Sequence, residues 1–210
     1  MRVLITGADG GFGSALMGAF KSAGHDVYPH YRDHEGRECL YGDTTNLFFP
    51  RKLQDYIVEH EINVFINNAA IVSRGPAEKM DKWDVINMID TNLRAPILMC
   101  SAVYAVFKEQ GYGKIINVNS LAGIRPTAGE SVYSATKHGL SGYSQSLQLE
   151  AIGTGVTILD IYPGAMKTGM SDHRDDYENL LDPLDVARYV ERLCSDESIM
   201  VTESVIRRPA

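Results

Sequence analysis

Apolar and polar positions along the chain follow two alternating spacings. "RVLIT" (residues 2–6) is a short run rich in β-branched residues that ends at a glycine. It is followed by "FGSALMGAFKSAG", whose apolar residues recur near helical spacing and which ends on Gly24. Further strand-like runs are "DVYPHY", "ECLYGD", "INVFINNAA", "KIINVNS", "VTILDIYPG" and the closing "ESVIRR". Further helices are predicted at about residues 46–60, 84–110, 133–152 and 183–194.

Strands that alternate with helices of this length predict an α/β fold. We expect a doubly wound parallel sheet of about seven strands, covered by helices on both faces and connected by right-handed crossovers. The chain has 210 residues and no internal repeat, low-complexity segment or linker, so a single domain over residues 1–210 is predicted. The least regular segment, residues 165–182, is polar and mixed in pattern, and it is a candidate lid.

Composition narrows the classes of function. The chain is 44% hydrophobic and 22% charged, as in an ordinary soluble globular protein. A net charge of -7 without a Lys/Arg cluster argues against a nucleic-acid partner. The three cysteines are widely spaced and the six histidines share no ligand spacing, so we predict neither a disulfide framework nor a metal site. The first residues run straight into a strand and a glycine turn, which predicts a cytoplasmic protein without a membrane partner.

A glycine-rich turn joins the first predicted strand to the first predicted helix. In "TGADGGFG" (residues 6–13), backbone N–H groups and the helix dipole would favour a bound pyrophosphate. Gly7, Gly11 and Gly13 would permit the tight turn and let phosphates approach the backbone. The spacing departs from G-x-G-x-x-G, so a plain structural turn is the alternative.

A tyrosine and a lysine lie four residues apart in "SVYSATKHGL" (residues 131–140). On a helix, Tyr133 and Lys137 would share one face, although an ordinary surface pair has the same geometry. A phenol with an ordinary pKa near ~10 is a poor acid–base group at neutral pH, and an adjacent cation would lower that pKa. The pair is therefore a candidate for proton transfer.

Together these stretches resemble the short-chain dehydrogenase/reductase family, whose landmarks follow in order across almost the whole chain. Besides the turn and Tyr-x-x-x-Lys, the matching segments are "GDTTN", "NNAA" (the family's "NNAG", with Ala70 for Gly), "DTNLRAP", "NVNS" and "PGAMKT". The resemblance implies a Rossmann-type fold, in which Asn67 supports the sheet. With the residues after the second strand, it implies a nicotinamide cofactor bound by Gly7, Gly11, Phe12, Gly13, Tyr31, Arg32, Asp43, Thr44, Asn68, Ala69, Ala70, Tyr133, Lys137, Pro163, Gly164 and Thr168.

The resemblance also implies a catalytic set of Asn92, Ser120, Tyr133 and Lys137. Because the cofactor supplies only hydride, Tyr133 would supply the proton. Ser120 would donate a hydrogen bond to the substrate oxygen, and its alternative is a strand-end hydroxyl that caps backbone. Asn92 would help to hold a water that connects Lys137 to solvent, and a buried amide bonded to main chain is an equal alternative.

We therefore expect an oxidoreductase that moves hydride between a nicotinamide dinucleotide and a small carbonyl or secondary alcohol. Two alternatives stay open, a dinucleotide-sensing regulatory protein without turnover and an isomerase or dehydratase built on the same tetrad. The resemblance also implies a homodimer or homotetramer that assembles through the two long helices, near residues 84–110 and 132–152.

The end of the second predicted strand bears on the choice of cofactor. In "VYPHYRDHEGR" the strand-end residue is Tyr31 rather than an acid, and Arg32 follows it. A guanidinium suits a 2′-phosphate, and His30 and Arg37 would add to the positive field, so we expect NADP(H) rather than NAD(H). Asp33 would take the role of the acid if the strand ended two residues later.

Overall fold

A single parallel sheet forms the centre of the protein, in a computed structural model that describes residues 1–33 and 39–208. Its strand order is β3-β2-β1-β4-β5-β6-β7. The strands are β1 (Arg2–Ile5), β2 (Asp26–Tyr31), β3 (Leu40–Tyr41), β4 (Val64–Asn67), β5 (Gly113–Val118), β6 (Val156–Pro163) and β7 (Glu203–Ile206). All six neighbouring pairs are parallel, which confirms the predicted doubly wound fold.

Helices cover both faces of the sheet. They are α1 (Gly11–Ser22), α2 (Phe49–Glu59), α3 (Lys82–Ile89), α4 (Ala95–Gln110), α5 (Ser131–Glu150) and α6 (Pro183–Ser195). Alternate strand residues face opposite layers: Leu4 and Phe65 pack with α2, α4 and α5, whereas Val3 and Ile66 pack with α1 and α6. Each such buried side chain stabilises the fold by ~1.5–3 kcal/mol relative to exposure. No described helix is long and apolar enough to cross a membrane.

The prediction of one continuous helix over residues 84–110 is wrong, because the stretch is interrupted. A π-helical turn at Asp90–Arg94 separates α3 from α4. Pro96 supplies the physical reason, because it has no N–H to donate to the carbonyl of Asn92 four residues earlier. The widened π-helical turn therefore contains Asn92, one of the predicted site residues.

The strand order reverses between β1 and β4, the two strands that begin the two halves of the sheet. In open α/β sheets, ligands bind at the carboxyl ends of strands next to such a switch point. Thr6 joins the two strand ends, since its Oγ1 accepts hydrogen bonds from the Asn68 N–H at 2.9 Å and the Ala69 N–H at 3.0 Å. The fold therefore positions a ligand site at this edge.

Candidate active site

The carboxyl ends of the strands enclose a cleft of about 1020 Å³. The predicted site residues that line it are Gly7, Gly11, Phe12, Gly13, Arg32, Asp43, Thr44, Asn68, Ala69, Ala70, Ser120, Tyr133, Lys137, Pro163, Gly164 and Thr168. Tyr31 and Asn92 do not line it. Tyr31 instead packs against the core on the α1 side of the sheet.

The glycine turn packs closely against its neighbours because its glycines have no side chains. Gly7 has a φ of 60°, and a Cβ on Gly13 would collide with the Gly7 carbonyl oxygen and lie 2.9 Å from the Cα of Ala8. A Cβ on Gly11 would lie 2.9 Å from the Cβ of Thr168. Glycine at these positions therefore lets α1 pack onto the turn and lets the "PGAMKT" segment lie against it.

The amino end of α1 is open to the cleft and fits an anionic group. Its N-cap is Gly10, which has no side chain to accept the first-turn N–H groups, and the first turn contains no acidic residue. Gly10 and the next three residues all line the cleft. This arrangement suits the pyrophosphate of a dinucleotide cofactor.

Asn68 holds the glycine turn in place. Its Nδ2 donates to the carbonyl oxygens of Thr6 at 2.8 Å and Gly7 at 3.1 Å. The neighbouring Asn67 is buried, and its Nδ2 donates to Asn117 Oδ1 on β5 at 3.0 Å. The "NNAA" segment therefore ties the first half of the sheet to the second.

His30 does not add to a positive field, so that expectation is wrong. The ring is 2% exposed, and burial lowers its pKa below the ordinary value. Its Nδ1 accepts from the Gly7 N–H at 3.3 Å, and its Nε2 lies 2.8 Å from the Gly42 carbonyl oxygen, to which it donates. Both contacts are satisfied by the neutral ring, which supports the turn from below.

The end of β2 presents a paired rather than an isolated arginine. β2 ends at Tyr31, and the Nε of Arg32 donates to Asp33 Oδ2 at 2.8 Å, with both side chains exposed. This hydrogen bond raises the pKa of Arg32. Arg37, the other predicted contributor, lies outside the described residues. A phosphate at this position would share Arg32 with Asp33.

Asp43 and Thr44 follow β3 and, like Arg32, line the cleft. Asp43 Oδ1 accepts from the backbone N–H of Thr45 at 2.8 Å and from its hydroxyl at 2.7 Å. One carboxylate oxygen is therefore used to fix the loop.

Ser120, Tyr133 and Lys137 meet at the middle of the cleft. Ser120 follows β5, its hydroxyl accepts from the Ala122 N–H at 3.1 Å, and it lies close enough to Tyr133 to lower the pKa of the phenol against the effect of burial. Tyr133 and Lys137 lie on α5 and are 8% and 3% exposed. Lys137 Nζ donates to the Val118 carbonyl oxygen at 2.9 Å and lies 5.8 Å from the centroid of the Tyr133 ring.

Burial sets the proton affinities of this pair. It raises the pKa of Tyr133, which the Ser120 hydrogen bond opposes, so the expectation that Lys137 leaves Tyr133 with a lowered pKa is wrong for this structure. Burial lowers the pKa of Lys137 to about 8, and the nearby Asp160 opposes that shift. The phenol therefore holds its proton at neutral pH, while Lys137 releases one far more readily than an exposed lysine.

Asn92 is a buried amide bonded to the main chain, which was the alternative to its predicted role in a water relay. It is fully buried in the π-helical turn, its Oδ1 accepts from the Ile71 N–H at 2.9 Å, and its Nδ2 donates to the Ile71 carbonyl at 2.7 Å. The side chain therefore fixes the loop that follows β4. The water relay through Asn92 stays a prediction.

Sequence reasoning missed a group of charged residues on the far side of the cleft. Arg74 Nε donates to Glu130 Oε1 at 2.6 Å, and Arg74 Nη1 donates to the Met170 carbonyl at 3.0 Å. Glu130 directly precedes α5, so this pair lies beside the helix that carries Tyr133. Arg74 and Glu130 belong to no recognised motif, and their separation of 56 residues gave no local signal.

The candidate lid is a folded segment. Its ends are joined by hydrogen bonds from the Leu181 N–H to the Ala165 carbonyl at 3.1 Å and from the Lys167 N–H to the Leu181 carbonyl at 2.9 Å. Short 3₁₀ turns lie at Gly169–Ser171 and Tyr177–Asn179. Both the start and the end of the segment line the cleft.

Comparison with known proteins agrees with this geometry. The family model described as short chain dehydrogenase matches residues 1–179. The chain belongs to the short-chain dehydrogenase family. It is therefore an NAD(P)-dependent oxidoreductase with a nicotinamide dinucleotide as cofactor. Among the described residues, no group of three or more His, Cys, Asp or Glu side chains is placed to hold a metal ion.

Three relatives illustrate the similarity of this short-chain dehydrogenase to known proteins. It is 32% identical to a 3-ketodihydrosphingosine reductase of Bacteroides thetaiotaomicron, covering 82% of this chain and 66% of the relative. It is 34% identical to the NADP-dependent 3-hydroxy acid dehydrogenase YdfG of Salmonella typhi, covering 78% of this chain and 72% of the relative. The closed form of serine dehydrogenase complexed with NADP+ has a TM-score of 0.87 at 30% identity, covering 100% of this chain and 97% of that structure.

Proposed function

We propose that this short-chain dehydrogenase interconverts a carbonyl and a secondary alcohol with NADP(H), and that Tyr133 is its acid–base group. The observation that carries the proposal is that buried Tyr133 lines one cleft with Ser120, Lys137 and the open amino end of α1. A nicotinamide cofactor bound there supplies or accepts hydride. The chain must then supply the proton.

The proton chemistry follows from the surroundings of Tyr133. Because burial raises its pKa, the phenol is protonated at neutral pH, which is the form that donates a proton to a carbonyl oxygen during reduction. The Ser120 hydroxyl would donate a second hydrogen bond to the same oxygen as negative charge develops there. Lys137, with a pKa of about 8, is the group best suited to return a proton to Tyr133.

The cofactor would lie along the cleft from β2 to α5. In this arrangement the pyrophosphate would lie against the glycine turn, at Gly7, Gly11, Phe12 and Gly13. The adenosine would be bordered by Asp43, Thr44, Asn68, Ala69 and Ala70. Pro163, Gly164 and Thr168 would close over the nicotinamide beside Tyr133 and Lys137. Arg32 directly follows β2, where it would bind a 2′-phosphate, and this supports NADP(H).

Consumption of reduced cofactor tests the proposal. The protein is incubated with NADPH and, separately, with aldehydes, ketones, quinones and pterins, and NADPH oxidation is followed against a control without substrate. We expect at least one carbonyl class to be reduced at the expense of NADPH. Tight NADPH binding without oxidation by any class would instead favour a sensor, and conversion of substrate without cofactor consumption would favour an isomerase or dehydratase.

Assembly, domain extent and location stay predictions of the sequence. Homodimer or homotetramer formation would use α4 and α5, and residues 1–210 would act as one catalytic unit in the cytoplasm. Sedimentation of the purified protein would test the first of these.

A further inference from the structure

Arginines outnumber carboxylates among the cleft-lining side chains next to the folded segment 165–182. Four arginines and two carboxylates line this part, which we name the arginine group: Arg74, Arg174, Arg207 and Arg208, with Glu130 and Asp176. The formal excess is two positive charges, in a chain whose net charge is -7. Such local concentration of one sign in a cleft attracts a ligand of the opposite sign.

Arg74 is held firmly while part of its guanidinium stays available. Glu130 Oε1 accepts from its Nε, and the Met170 carbonyl accepts from its Nη1. Its Nη2 makes no hydrogen bond with any residue that the structure describes, and a third of the side chain is exposed. Burial raises the pKa of Tyr133, the Glu130 charge adds to that rise and the Arg74 charge opposes it, so both members of the pair lie within electrostatic reach of the phenol.

The remaining arginines divide into two kinds. Arg174 and Arg208 both contact Asp176, at 2.8 Å and 3.2 Å, so that carboxylate offsets part of their charge. Arg207 is exposed and forms no ion pair within residues 1–33 and 39–208. Glu130 offsets the charge of Arg74, so the two spare positive charges lie at the Arg174 and Arg208 pair and at Arg207, while Arg74 contributes an unused Nη2 donor.

We propose that the substrate carries an oxyanion, a carboxylate or a phosphate, which Arg74 binds while the carbonyl or hydroxyl group lies at Tyr133. This inference rests on the proposed function and names the substrate class of that site. The unused Nη2 would donate a charge-assisted hydrogen bond to an oxygen of the oxyanion, and Glu130 and the Met170 carbonyl fix the guanidinium before the substrate arrives. Arg207 adds long-range attraction, and an uncharged substrate would gain neither contribution.

Calorimetric titration of the NADP+-loaded protein tests this assignment with matched probes. One arm compares β-hydroxybutyrate with its methyl ester, and the other compares glycerol phosphate with glycerol. In at least one arm the charged probe should bind roughly 10-fold to 150-fold more tightly than the neutral one, the contribution of a charge-assisted hydrogen bond. The arm with the larger ratio distinguishes carboxylate from phosphate.

Three variants separate recognition from a structural role for Arg74. Arg74→Gln should reduce the ratio most of the way toward one, leaving the attraction of Arg207, and Arg74→Lys should restore part of it because the charge returns without the fixed Nη2 donor. Arg125→Gln, at an exposed arginine that does not line the cleft, should keep the wild-type ratio.

The outcomes also separate this inference from the proposed function. Equal binding of charged and neutral probes, or binding of none of them by the NADP+ complex, would overturn the oxyanion assignment and leave the oxidoreductase proposal standing. An Arg74→Gln variant with the wild-type ratio would also overturn it. Failure of NADP+ and NADPH to bind at all would contradict the proposed function instead.

Discussion

The two ends of the cleft are built on different physical principles. At the phosphate end, Gly7 and Gly13 shape the turn because a side chain at Gly13 would meet the backbone directly. At the acid–base end, Tyr133 and Lys137 are buried side chains whose pKa values are shifted by their surroundings. The first end is therefore defined by space and the second by electrostatics.

The electrostatic control of the acid–base end also involves a buried carboxylate. Asp160 on β6 is fully buried, and it accepts from the Ser144 hydroxyl at 2.6 Å and the Tyr162 hydroxyl at 3.2 Å. Its negative charge raises the pKa of Lys137 against the effect of burial. Substitutions should accordingly change proton transfer at one end and cofactor binding or folding at the other.

The largest effect is expected from removal of the phenol hydroxyl. Tyr133→Phe should reduce kcat by roughly 100-fold to 10,000-fold, the contribution of general acid catalysis, because it removes the proposed proton donor. The affinity for NADPH, measured by fluorescence titration, should stay within a few-fold of wild type. Retention of the wild-type kcat would remove Tyr133 from its proposed role.

The next effect concerns the buried carboxylate. Burial raises the Asp160 pKa from 3.8 to about 6, so the native state binds more protons than the unfolded state between about pH 4 and pH 6. Wild-type stability should therefore fall through this window as pH rises, by up to about 3 kcal/mol from this group. Asp160→Asn should lose that dependence, which denaturant unfolding at both ends of the window measures.

The same variant should also change the pH dependence of turnover. Without the Asp160 charge, the pKa of Lys137 should fall further below about 8. The limb of the kcat profile that reports Lys137 should therefore move to lower pH. An unchanged limb would show that the two groups are not coupled in the working enzyme.

Cofactor preference should respond to the residues after β2. If Arg32 binds the 2′-phosphate, Arg32→Ala should lower the ratio of kcat/KM for NADPH over NADH by roughly 10-fold to 150-fold, equivalent to ~1.5–3 kcal/mol. Asp33→Asn should raise the ratio, because it removes the carboxylate that pairs with Arg32. As a control, Arg51→Ala changes an exposed arginine of α2 that is paired with Asp55. A wild type that prefers NADH would contradict the assignment.

A smaller effect is expected at the phosphate end, where a matched glycine pair is available. Gly13→Ala should destabilise the fold by ~1–3 kcal/mol through overpacking and weaken NADPH binding, since the turn must move. Gly18→Ala lies in the same helix with nothing within 4 Å of the new Cβ, and it should stabilise by roughly 0.5–1 kcal/mol. Equal effects of the two substitutions on NADPH affinity would argue against a steric basis for this end.

Local patterns explain why much of the fold was predictable. The seven strands and the glycine turn follow from periodicity and turn residues within short windows, and β2 ends at the predicted Tyr31. The π-helical turn was missed because helical spacing continues through it, although Pro96 marks its cause.

Properties that depend on packing were not predictable in the same way. The neutral state of His30 and the raised pKa of Tyr133 result from burial, which no short stretch of sequence reveals. The contact of Arg74 with Glu130 joins residues far apart in the chain and outside any motif. Motifs therefore located the site, whereas its electrostatics required the assembled fold.

Transfer of a labelled hydride from the cofactor to the substrate tests the proposed reaction directly. The wild-type enzyme is incubated with the carbonyl panel and NADPH deuterated at the transferring position of the nicotinamide, and the alcohol product is analysed by mass spectrometry. We expect one deuterium on the carbinol carbon of the product, and loss of product formation in Tyr133→Phe. Product without deuterium, or undiminished product formation by Tyr133→Phe, would contradict this expectation.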